Sequence, residues 1–365
     1  MSHEFFNPVR SVYGAGALAS LPKLLAGRKA IVVTFPEARQ LGLVARLEAL
    51  LGDLLVGVID SALPNPDVAE LQDLYEAFWR DPQGAEVLIA VGGGSSIDTA
   101  KTLMVGTDSG RFQDLVAALV GGEPFVPARV KTLIAVPTTA GTGSEVTPWA
   151  TVWDRQAQRK YSLHLPQTWP SIAIVDPELM LSLPQPVTLQ SGLDALSHAL
   201  ESIWNINANA VSDTFAVAAV REIFDALPQL MDQPGDLALR GRVALAALKA
   251  GMAFSNTRTA LAHSISYEMT LRYGLPHGIA CSFPLPMVLQ RAIGIDPARD
   301  AVLAQALGPL DSAPQRLSAF IEQFGVRTRF SDYGVSNEEA DQMVAHALTG
   351  ARGKNFIGTA QKEAA

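Results

Sequence analysis

The chain has 365 residues, of which 48% are hydrophobic and only 18% are charged, and its formal net charge is −8. This length exceeds what one ordinary hydrophobic core supports and predicts two domains, while the low charged fraction predicts extensive burial. The negative charge argues against a general role in binding nucleic acid or an anionic membrane surface. A single cysteine, Cys281, excludes a disulfide framework and argues against a cysteine-based structural zinc site.

No uninterrupted apolar run reaches about 18 residues, so the sequence contains no candidate transmembrane helix. The first ten residues, MSHEFFNPVR, lack the basic and then apolar order of a secretory signal peptide. We therefore expect a cytoplasmic protein whose partner is a small molecule, with no role in binding nucleic acid or a membrane.

The first half of the chain alternates β-branched apolar runs with segments of helical periodicity. Fully apolar strands that alternate with helices are typical of a parallel sheet covered by helices on both faces. Asp67 precedes one of these helices and is the expected N-cap. The predicted strands begin at residues 30, 54, 86 and 132, and the predicted helices lie near residues 43–51, 68–80 and 97–107.

From residue 187 onward, almost every segment has helical spacing, and prolines and glycines separate the helices. We place the domain boundary between residues 176 and 184. This predicts an α/β domain over residues 1–180 and an all-α domain over residues 181–365. The predicted helices cover residues 187–203, 212–227, 236–254, 259–273, 313–324 and 337–348.

The stretch VGGGSSIDTAK, residues 91–101, joins a predicted strand to a predicted helix. Its three glycines would let the backbone turn sharply, and the N-terminus of the following helix would offer free N–H groups to a pyrophosphate. The pattern matches neither the GxGxxG fingerprint nor a Walker motif. The alternative is a tight turn between strand and helix with Ser96 as the N-cap.

A second loop of small residues, PTTAGTGSEVT at residues 137–147, also follows a predicted strand. It supplies the hydroxyl groups of Thr138, Thr139, Thr142 and Ser144. Two such loops at the carboxyl ends of parallel strands would converge on one crevice, which favours a shared cofactor. The alternative is an ordinary polar crossover loop.

An acid and an imidazole, Asp194 and His198, lie four residues apart in a predicted helix, and this spacing places them on one face. His263 lies in another predicted helix, and His277 follows Pro276 in a predicted turn. One carboxylate and three imidazoles suit a borderline divalent cation such as Zn²⁺ or Fe²⁺, between which the residue types do not choose. Alternatively, Asp194 and His198 form an ion pair, and His263 is a hydrogen-bonded core residue.

Several motifs occur in the order in which one known family carries them: NPVRSVYGAGAL, LPNPD, GGGSSIDTAK, PTTAGTGSEVT, AIVDPEL, GLDALSHALES, AHSISY and GLPHG. In this ordered set the sequence resembles the iron-dependent (group III) alcohol dehydrogenase family, within the dehydroquinate synthase-like fold. The resemblance implies an N-terminal α/β dinucleotide-binding domain, a helical metal-binding domain and a site in the cleft between them. It also implies NAD(H) or NADP(H) and a divalent metal, Fe²⁺ or Zn²⁺, as cofactors, and a homodimer or larger homo-oligomer.

The resemblance assigns roles to individual residues. The family's Asp-x3-His motif, its distant His and its His before Gly imply that the metal ligands are Asp194, His198, His263 and His277. Lys160 would lie near the nicotinamide ribose and is a candidate catalytic residue. The implied dinucleotide contacts are Phe35, Asn65, Gly92, Gly93, Gly94, Ser95, Thr138, Thr139, Thr142, Ser144, Val152 and Lys160.

Two positions depart from the family's pattern. Many members carry an aspartate, which accepts a hydrogen bond from the ribose 2′-hydroxyl, where this sequence has Phe35. Its absence leaves both NADH and NADPH open; Arg39 would favour a 2′-phosphate, and Phe35 could instead simply pack beside the adenine. Many members also have a histidine where this sequence has Tyr267, one helical turn after His263. The Tyr267 hydroxyl would either relay a proton or only shape the pocket.

The implied reaction is hydride transfer between a nicotinamide and a small aldehyde or alcohol, with the metal polarising the carbonyl. Residues 256–278 resemble a branch that includes phosphonoacetaldehyde reductases, which form 2-hydroxyethylphosphonate. A phosphonate needs fixed positive charge, for which Arg258 is the first candidate, with Arg272 and Arg10 as others. Arg258 could instead form a structural salt bridge. The alternative functions are a dehydroquinate synthase-like lyase or cyclase, a glycerol-dehydrogenase-like polyol oxidoreductase and a noncatalytic metal-binding protein.

Overall fold

The computed structural model describes residues 3–122, 125–157 and 159–359. The chain forms two compact units. The first, which we call the α/β unit, comprises Pro8–Thr139 and Ser144–Met180. The second, which we call the helical unit, comprises the residues up to Asn7, the segment Ala140–Gly143 and the residues from Leu181 onward.

Ten short strands occur in the described part of the α/β unit. Six of them form one sheet in which all neighbouring strands are parallel, as the sequence predicts. The strands are β1 (Arg10–Tyr13), β2 (Ala30–Thr34), β3 (Leu55–Ile59), β4 (Val87–Gly92), β5 (Val105–Gly106), β6 (Arg129–Val130), β7 (Thr132–Pro137), β8 (Trp149–Asp154), β9 (Arg159–His164) and β10 (Ile172–Val175). The order across the six-stranded sheet is β1-β10-β7-β4-β2-β3.

Helices cover both faces of this sheet, because successive residues of a strand point to opposite sides. Val32 packs into one hydrophobic core together with Leu47. Its neighbour Val33 packs into a second core together with Tyr75 and Phe112. The helices of the unit are α1 (Leu21–Leu25), α2 (Leu43–Leu51), α3 (Val68–Arg80), α4 (Gly94–Leu103) and α5 (Phe112–Gly121). Burial on both faces explains why the central strands are apolar throughout.

The antiparallel pairs β5–β6 and β8–β9 are absent from the sequence prediction. In β8 only alternate residues are fully buried, such as Ala150 and Val152. Its partner β9 begins with Arg159 and Lys160, and only one of its six residues, Leu163, is buried. A hairpin of this kind has no continuous apolar run, so its strands could not be predicted from the pattern that identifies buried strands.

The helical unit is built around one long buried helix. From Gly192 to Ile203 every residue of this helix is buried, including Asp194 and His198. It packs against the next two helices of the chain and against the short helix that begins at His277. The helices are α6 (Gln185–Ile203), α7 (Ala210–Asp232), α8 (Leu237–Thr257), α9 (Leu261–Tyr273), α10 (His277–Ser282), α11 (Leu285–Ala292), α12 (Pro297–Leu307), α13 (Ala313–Glu322) and α14 (Asn337–Thr349).

Three local predictions about helix starts have different outcomes. Asp67 caps α3 as predicted, because its carboxylate accepts a hydrogen bond from the N–H of Ala69 over 3.0 Å. The alternative of Ser96 as a cap is wrong, because α4 begins two residues earlier and has Gly93 at the N-cap. The turn predicted at His277 is also wrong, because this residue begins α10. None of the helices in the described ranges combines the length and apolar character needed to cross a bilayer.

Candidate metal centre and dinucleotide-binding loops

The glycine loop between β4 and α4 lies beside the loop that follows β7. The N–H of Thr138 donates to the carbonyl oxygen of Gly92 over 2.9 Å. A Cβ atom at Gly93 would lie only 3.5 Å from the side chain of Thr139, so little space separates the two loops. A Cβ atom at Gly92 would lie 2.6 Å from Cβ of Ser96, which excludes any larger residue there. The carboxyl ends of β4 and β7 therefore share one narrow, glycine-lined edge.

Further predicted cofactor residues meet at this edge. The N–H of Asn65 donates to the hydroxyl of Ser95 over 3.1 Å, and Asn65 has the left-handed backbone angle φ of 57°. Phe35 follows β2, and its ring would lie 3.3 Å from a Cβ atom at Gly92. The N-terminus of α4 begins at Gly94, which places the first N–H groups of the helix at the same edge. Such groups bind pyrophosphates in many nucleotide-binding folds.

The other predicted cofactor residues differ in burial and in side-chain contacts. The side chain of Val152 is completely buried in the core of the α/β unit. The ammonium of Lys160 lies 5.0 Å from the ring centroid of Trp153. Thr142 belongs to the short segment that the loop contributes to the helical unit. Arg39, the residue considered for a 2′-phosphate, forms an exposed ion pair with Asp60.

A buried charged network fixes the second loop to α4. The completely buried ammonium of Lys101 donates to the carbonyl and hydroxyl oxygens of Ser144, over 2.7 and 2.9 Å, and to the carbonyl of Trp149. The Ser144 hydroxyl in turn donates to Asp98 over 2.8 Å. Burial lowers the pKa of Lys101 to about 8 and raises the pKa of Glu145 to about 7. Asp98 and Lys101 were not predicted to have a role, although two charged residues in a helix of small and apolar residues were the available signal.

Three imidazoles of the helical unit converge on one carboxylate oxygen. Oδ1 of Asp194 lies 3.5 Å from Nε2 of His263, 3.9 Å from Nε2 of His198 and 3.9 Å from Nε2 of His277. Asp194, His198 and His263 are buried, whereas His277 is partly exposed. The structure thus brings together all four residues that the resemblance implies as metal ligands, from α6, α9 and α10.

Two atoms at this centre lack the hydrogen bonds that buried polar atoms normally make. Oδ1 of Asp194 and Nε2 of His263 have no partner within the described residues. An unsatisfied buried polar group costs about 1–3 kcal/mol, so such pairs are rare without a reason. Burial alone would raise the pKa of Asp194, but the surrounding imidazoles hold it well below its usual range, so the group is a carboxylate.

These residues fit a divalent cation. Ligand atoms about 2.1 Å from a tetrahedral metal lie about 3.4 Å apart, close to the observed separations. One carboxylate oxygen and imidazole nitrogens are donors that Zn²⁺ and Fe²⁺ both accept. A cation at this point would also satisfy the unpartnered atoms of Asp194 and His263, which is the structural reason for assigning the centre to a metal.

The environment of His198 prepares its Nε2 atom to act as a ligand. Its Nδ1 lies 3.3 Å from the carbonyl oxygen of Gly141, which can accept the ring proton. Its ring stacks on Phe254 and on His263, with centroids 4.1 and 4.5 Å away. Burial lowers the pKa of His198 to about 4, although Asp194 acts in the opposite direction. The imidazole is therefore neutral at pH 7, as metal ligation requires.

Sequence reasoning missed two buried residues at this centre. Cys281 lies one turn after His277 on α10, with Sγ 3.6 Å from both ring nitrogens of that histidine. Donor atoms of Asp194, His263, His277 and Cys281 all lie within 4.8 Å of one another. Burial favours the thiol, but the neighbouring imidazoles lower the pKa of Cys281 to about 7. The available signal was the spacing of four residues from His277.

The second missed residue is Glu201, which is fully buried on α6. Its carboxylate oxygen Oε2 lies 2.6 Å from Nδ1 of His263, on the side of the ring opposite Nε2. Although burial would raise it, His263 and backbone N–H donors hold the pKa of Glu201 below its usual value. The available signal was its position three residues after His198, which places both on one helix face.

The predicted substrate and proton-transfer residues differ in their exposure and in their side-chain contacts. Tyr267 is half-buried on α9, one turn after His263, and the guanidinium carbon of Arg352 lies 4.8 Å from its ring centroid. Arg258 is exposed at the end of α8, with a left-handed φ of 68°, and makes no ion pair with a carboxylate in the described part of the chain. Arg272 is exposed and pairs with Glu268.

Comparisons with known proteins agree with this arrangement. The profile of the iron-containing alcohol dehydrogenase family matches residues 8–177, and the profile of the C-terminal part of the Fe-containing alcohol dehydrogenase family matches residues 188–364. The NAD-dependent methanol dehydrogenase of Bacillus methanolicus is 32% identical over 361 residues, which cover 94% of this chain and 93% of that protein.

Two other relatives act on small aldehydes with an anionic group, by their names. The phosphonoacetaldehyde reductase of Streptomyces viridochromogenes is 34% identical over 281 residues, which cover 73% of this chain and 70% of that protein. The crystal structure of sulfoacetaldehyde reductase from Bifidobacterium kashiwanohense in complex with NAD⁺ has a TM-score of 0.87 and 26% identity, and the match covers 100% of this chain and 98% of that one.

These matches confirm the predicted family, the fold class and the class of reaction. They also confirm the predicted cofactor class, a nicotinamide dinucleotide together with a divalent metal. Because the two family profiles together span nearly the whole sequence, the chain belongs to the iron-containing alcohol dehydrogenase family of oxidoreductases.

Proposed function

We propose that this protein is a reductase that transfers hydride from NAD(P)H to a small aldehyde, and that its preferred aldehyde carries an anionic group, phosphonoacetaldehyde being the specific candidate. The observation that carries the proposal is the convergence of three imidazoles on Oδ1 of Asp194, with that oxygen and Nε2 of His263 left unpartnered. The overall change is an aldehyde, NAD(P)H and a proton giving an alcohol and NAD(P)⁺.

Asp194, His198, His263 and His277 would hold the metal in this proposal. A divalent metal at such a site supplies a Lewis acid that polarises a carbonyl oxygen, or lowers the pKa of an alcohol in the reverse direction. The protein's own contribution is to orient the three imidazoles and, by burial, to keep that of His198 neutral. Stacking of His198 between Phe254 and His263 restricts ring rotation, so the ligands are arranged before a cation arrives.

The glycine-lined edge of the α/β unit would hold the dinucleotide. The first N–H groups of α4 would bind the pyrophosphate, and Gly92 and Gly93 would leave room for it. Thr138 and Thr139 would supply hydroxyl groups from the adjoining loop, and Phe35 would pack beside the adenine. The network around Lys101 would keep the second loop in place, so Ser144 would contribute through loop geometry and not through a free hydroxyl.

Reduction also needs a proton for the alcohol oxygen. Tyr267 would supply or relay it through its hydroxyl, because it lies on the helix that carries His263 and one turn from that residue. Lys160 would act nearer the nicotinamide ribose. The alternative is that Tyr267 only shapes the pocket and that water delivers the proton. Replacing Tyr267 with Phe separates the two, since only a relay predicts a fall in kcat with little change in KM.

The substrate's anionic group needs a fixed positive charge, and Arg258 is the first candidate for it. Its exposed guanidinium has no carboxylate partner in the described part of the chain, in contrast to Arg272, which is already paired. The similarity to a phosphonoacetaldehyde reductase supports this choice of substrate class. Replacing Arg258 with Gln should lower kcat/KM for the anionic aldehyde and leave that for propanal nearly unchanged.

A substrate panel tests the proposed function. The protein, loaded separately with Fe²⁺ or Zn²⁺, is assayed with NADH and with NADPH against phosphonoacetaldehyde, sulfoacetaldehyde, acetaldehyde and lactaldehyde, and against glycerol with the oxidised cofactors. The proposal expects the largest kcat/KM for an anionic aldehyde. Preference for glycerol would favour a polyol oxidoreductase. No net oxidation of NAD(P)H with any aldehyde would favour a cyclase, which regenerates its cofactor, or a noncatalytic protein.

The proposal includes a homodimer or larger homo-oligomer, which the resemblance implies. Light scattering coupled to size-exclusion chromatography measures the mass directly. A mass near 38.8 kDa, that of one chain, would contradict this part of the proposal. The preference between NADH and NADPH is decided by the same substrate panel.

A further inference from the structure

The fully buried Glu201 connects three parts of the helical unit that matter for the metal centre. It lies on α6, seven residues after Asp194 and three after His198, so all three occupy one side of the helix. Its carboxylate reaches across to the N-terminus of α9, the helix that carries His263. A buried carboxylate is costly unless several donors satisfy it, so its partners indicate what it does.

Four contacts satisfy Glu201. It accepts hydrogen bonds from the backbone N–H groups of Ala260, Ala262 and His263, over 3.0, 2.5 and 3.2 Å. The fourth contact is the 2.6 Å approach to Nδ1 of His263. Ala260 is the N-cap of α9 and offers no side-chain cap of its own, so Glu201 caps this helix from a distance of 62 residues in the sequence.

The same carboxylate determines which nitrogen of His263 carries the proton. The Glu201 carboxylate accepts three backbone N–H bonds and has no proton to donate. The ring nitrogen that faces it at 2.6 Å must therefore be the donor. Nδ1 of His263 therefore carries a proton, which leaves Nε2 as the ring nitrogen that can bind a cation. That is the atom 3.5 Å from Oδ1 of Asp194 and without a hydrogen-bond partner in the described residues.

We propose that Glu201 is a positioning residue for the metal centre: its carboxylate fixes His263 in the tautomer that presents Nε2 to the cation and anchors the start of α9 so that the ring keeps its place. The inference rests on the proposed function in one respect, namely that His263 binds a metal. Carboxylate partners of this kind orient ligand histidines and increase their basicity, and their loss typically lowers metal affinity by about 10- to 100-fold.

His198 provides an internal comparison. Its Nδ1 faces a neutral backbone carbonyl at 3.3 Å, whereas Nδ1 of His263 faces a carboxylate at 2.6 Å. Charge-assisted hydrogen bonds are shorter and roughly twice as strong as neutral ones. His263 is therefore the most firmly oriented of the buried ligands, and the partly exposed His277 is the least constrained by burial.

The competing explanation is that Glu201 is only a helix cap. Glu201→Gln separates the two roles, because its amide oxygen can still accept from the N–H groups of Ala262 and His263, whereas its amide nitrogen, in place of Oε2, loses the bond from Ala260 and donates to Nδ1. The ring proton of His263 would then move to Nε2, where it blocks metal binding. A cap alone predicts lower stability with unchanged metal affinity, whereas positioning predicts weakened metal affinity even in folded protein.

The control is Asp176→Asn in the α/β unit. Asp176 is also a fully buried carboxylate that accepts backbone N–H bonds, from Gly16, Leu18 and Glu178, and no histidine contact is found for it in the described residues. Its variant measures what loss of a buried capping charge does to the protein in general. Zn²⁺ affinity of the purified full-length chain is measured by competition with a chelator, and folding by circular dichroism and the Tm of the metal-free protein.

Burial would lower the pKa of His263, but Cys281 and Glu201 raise it. Its tautomer is therefore measured at a pH above this pKa, by two-bond ¹⁵N–¹H correlation in metal-free protein labelled at histidine. We expect an Nδ1–H tautomer in the wild type, a 10- to 100-fold loss of Zn²⁺ affinity in E201Q and an unchanged affinity in D176N. An Nε2–H tautomer in the wild type, or an E201Q affinity within twofold of the wild type, would overturn the inference. Failure of the wild type to bind metal would refute the proposed function, and the tautomer would still decide the role of Glu201.

Discussion

The contact between α10 and α6 gives the sharpest test of how the metal centre is held together. Gly278 follows His277, and a Cβ atom at this position would lie 2.0 Å from the carbonyl oxygen of Gln190 and 2.7 Å from its carbonyl carbon. Both are backbone atoms of α6 and cannot rotate away. Because ordinary contacts begin near 3.4 Å, Gly278→Ala requires the two helices to separate locally by more than 1 Å.

This separation has two consequences of different size. Overpacking a well-packed interior typically costs about 1–3 kcal/mol, so G278A should lower the stability of the metal-free protein by this amount or more. Metal binding tolerates less, because ligand distances must hold within about 0.2 Å. His277 would move with α10 away from Asp194, to which it now stands at 3.9 Å. We therefore expect Zn²⁺ affinity to fall by at least tenfold.

The assay is chelator competition for Zn²⁺ together with urea denaturation of the metal-free protein. Gly235→Ala is the matched control, because a Cβ atom at Gly235 would meet nothing within 4 Å. It should change both quantities little. If G278A bound Zn²⁺ as tightly as G235A and were equally stable, the reasoning that α10 is seated on the backbone of α6 through this glycine would be refuted.

Three further predictions concern the metal, the pH dependence of stability and the thiol. Asp194→Asn should abolish stabilisation by metal, which for a cation at 100 times its Kd is about 2.7 kcal/mol, or about 3–4 °C in Tm for a chain of this length by scanning calorimetry; an equal Tm rise in the variant would count against Asp194 as a ligand. The pKa of Glu145 is raised by burial from 4.5 to about 7, so its contribution to stability is fully present below pH 4.5 and is lost as the pH rises through 7. Between these pH values, Glu145 should make the free energy of unfolding fall by up to about 1.4 kcal/mol per pH unit, and Glu145→Gln should remove this fall in urea titrations. A pH slope identical to the wild type would exclude a raised pKa. Cys281→Ser should keep its Co²⁺ affinity within about twofold and leave the visible spectrum of the Co²⁺ protein unchanged, because Asp194 and the three histidines would supply the protein ligands without it; loss of a thiolate-to-cobalt charge-transfer band in the variant would instead make Cys281 a ligand.

The fold could be predicted where local sequence patterns coincide with burial. The apolar runs of β2, β4 and β7 are buried on both faces, and their lack of alternation follows directly from that burial. Helix α3 was predicted with its observed bounds, because an amphipathic repeat and the cap at Asp67 agree. The hairpin β8–β9 was not, because its stability depends on contacts with the rest of the α/β unit that no local pattern contains.

The candidate site was predictable to the extent that helix geometry links neighbours in the sequence. Spacing of four placed Asp194 and His198 together, but the positions of His263 and His277 came from the resemblance and not from spacing. Glu201 could not be identified as a partner of His263, because the two residues are 62 positions apart. The role of Gly278 is equally nonlocal, since a glycine after a histidine says nothing about the backbone of α6.

The helical unit contains several buried ionisable groups. Whether each has hydrogen-bond partners distinguishes a structural role from a role in metal binding. Glu201 is fully satisfied by four donors, and His198 has the Gly141 carbonyl for its ring proton. Among the ionisable side chains described in this unit, Oδ1 of Asp194 and Nε2 of His263 are buried without a hydrogen bond, and they face one another across 3.5 Å. If these groups existed only to stabilise the fold, a short rearrangement would have paired the two remaining atoms as well, because each unmet bond costs about 1–3 kcal/mol. Two such donor atoms, with two further imidazoles beside them, are what a cation site requires, and we predict that the cation binds where α6, α9 and α10 meet.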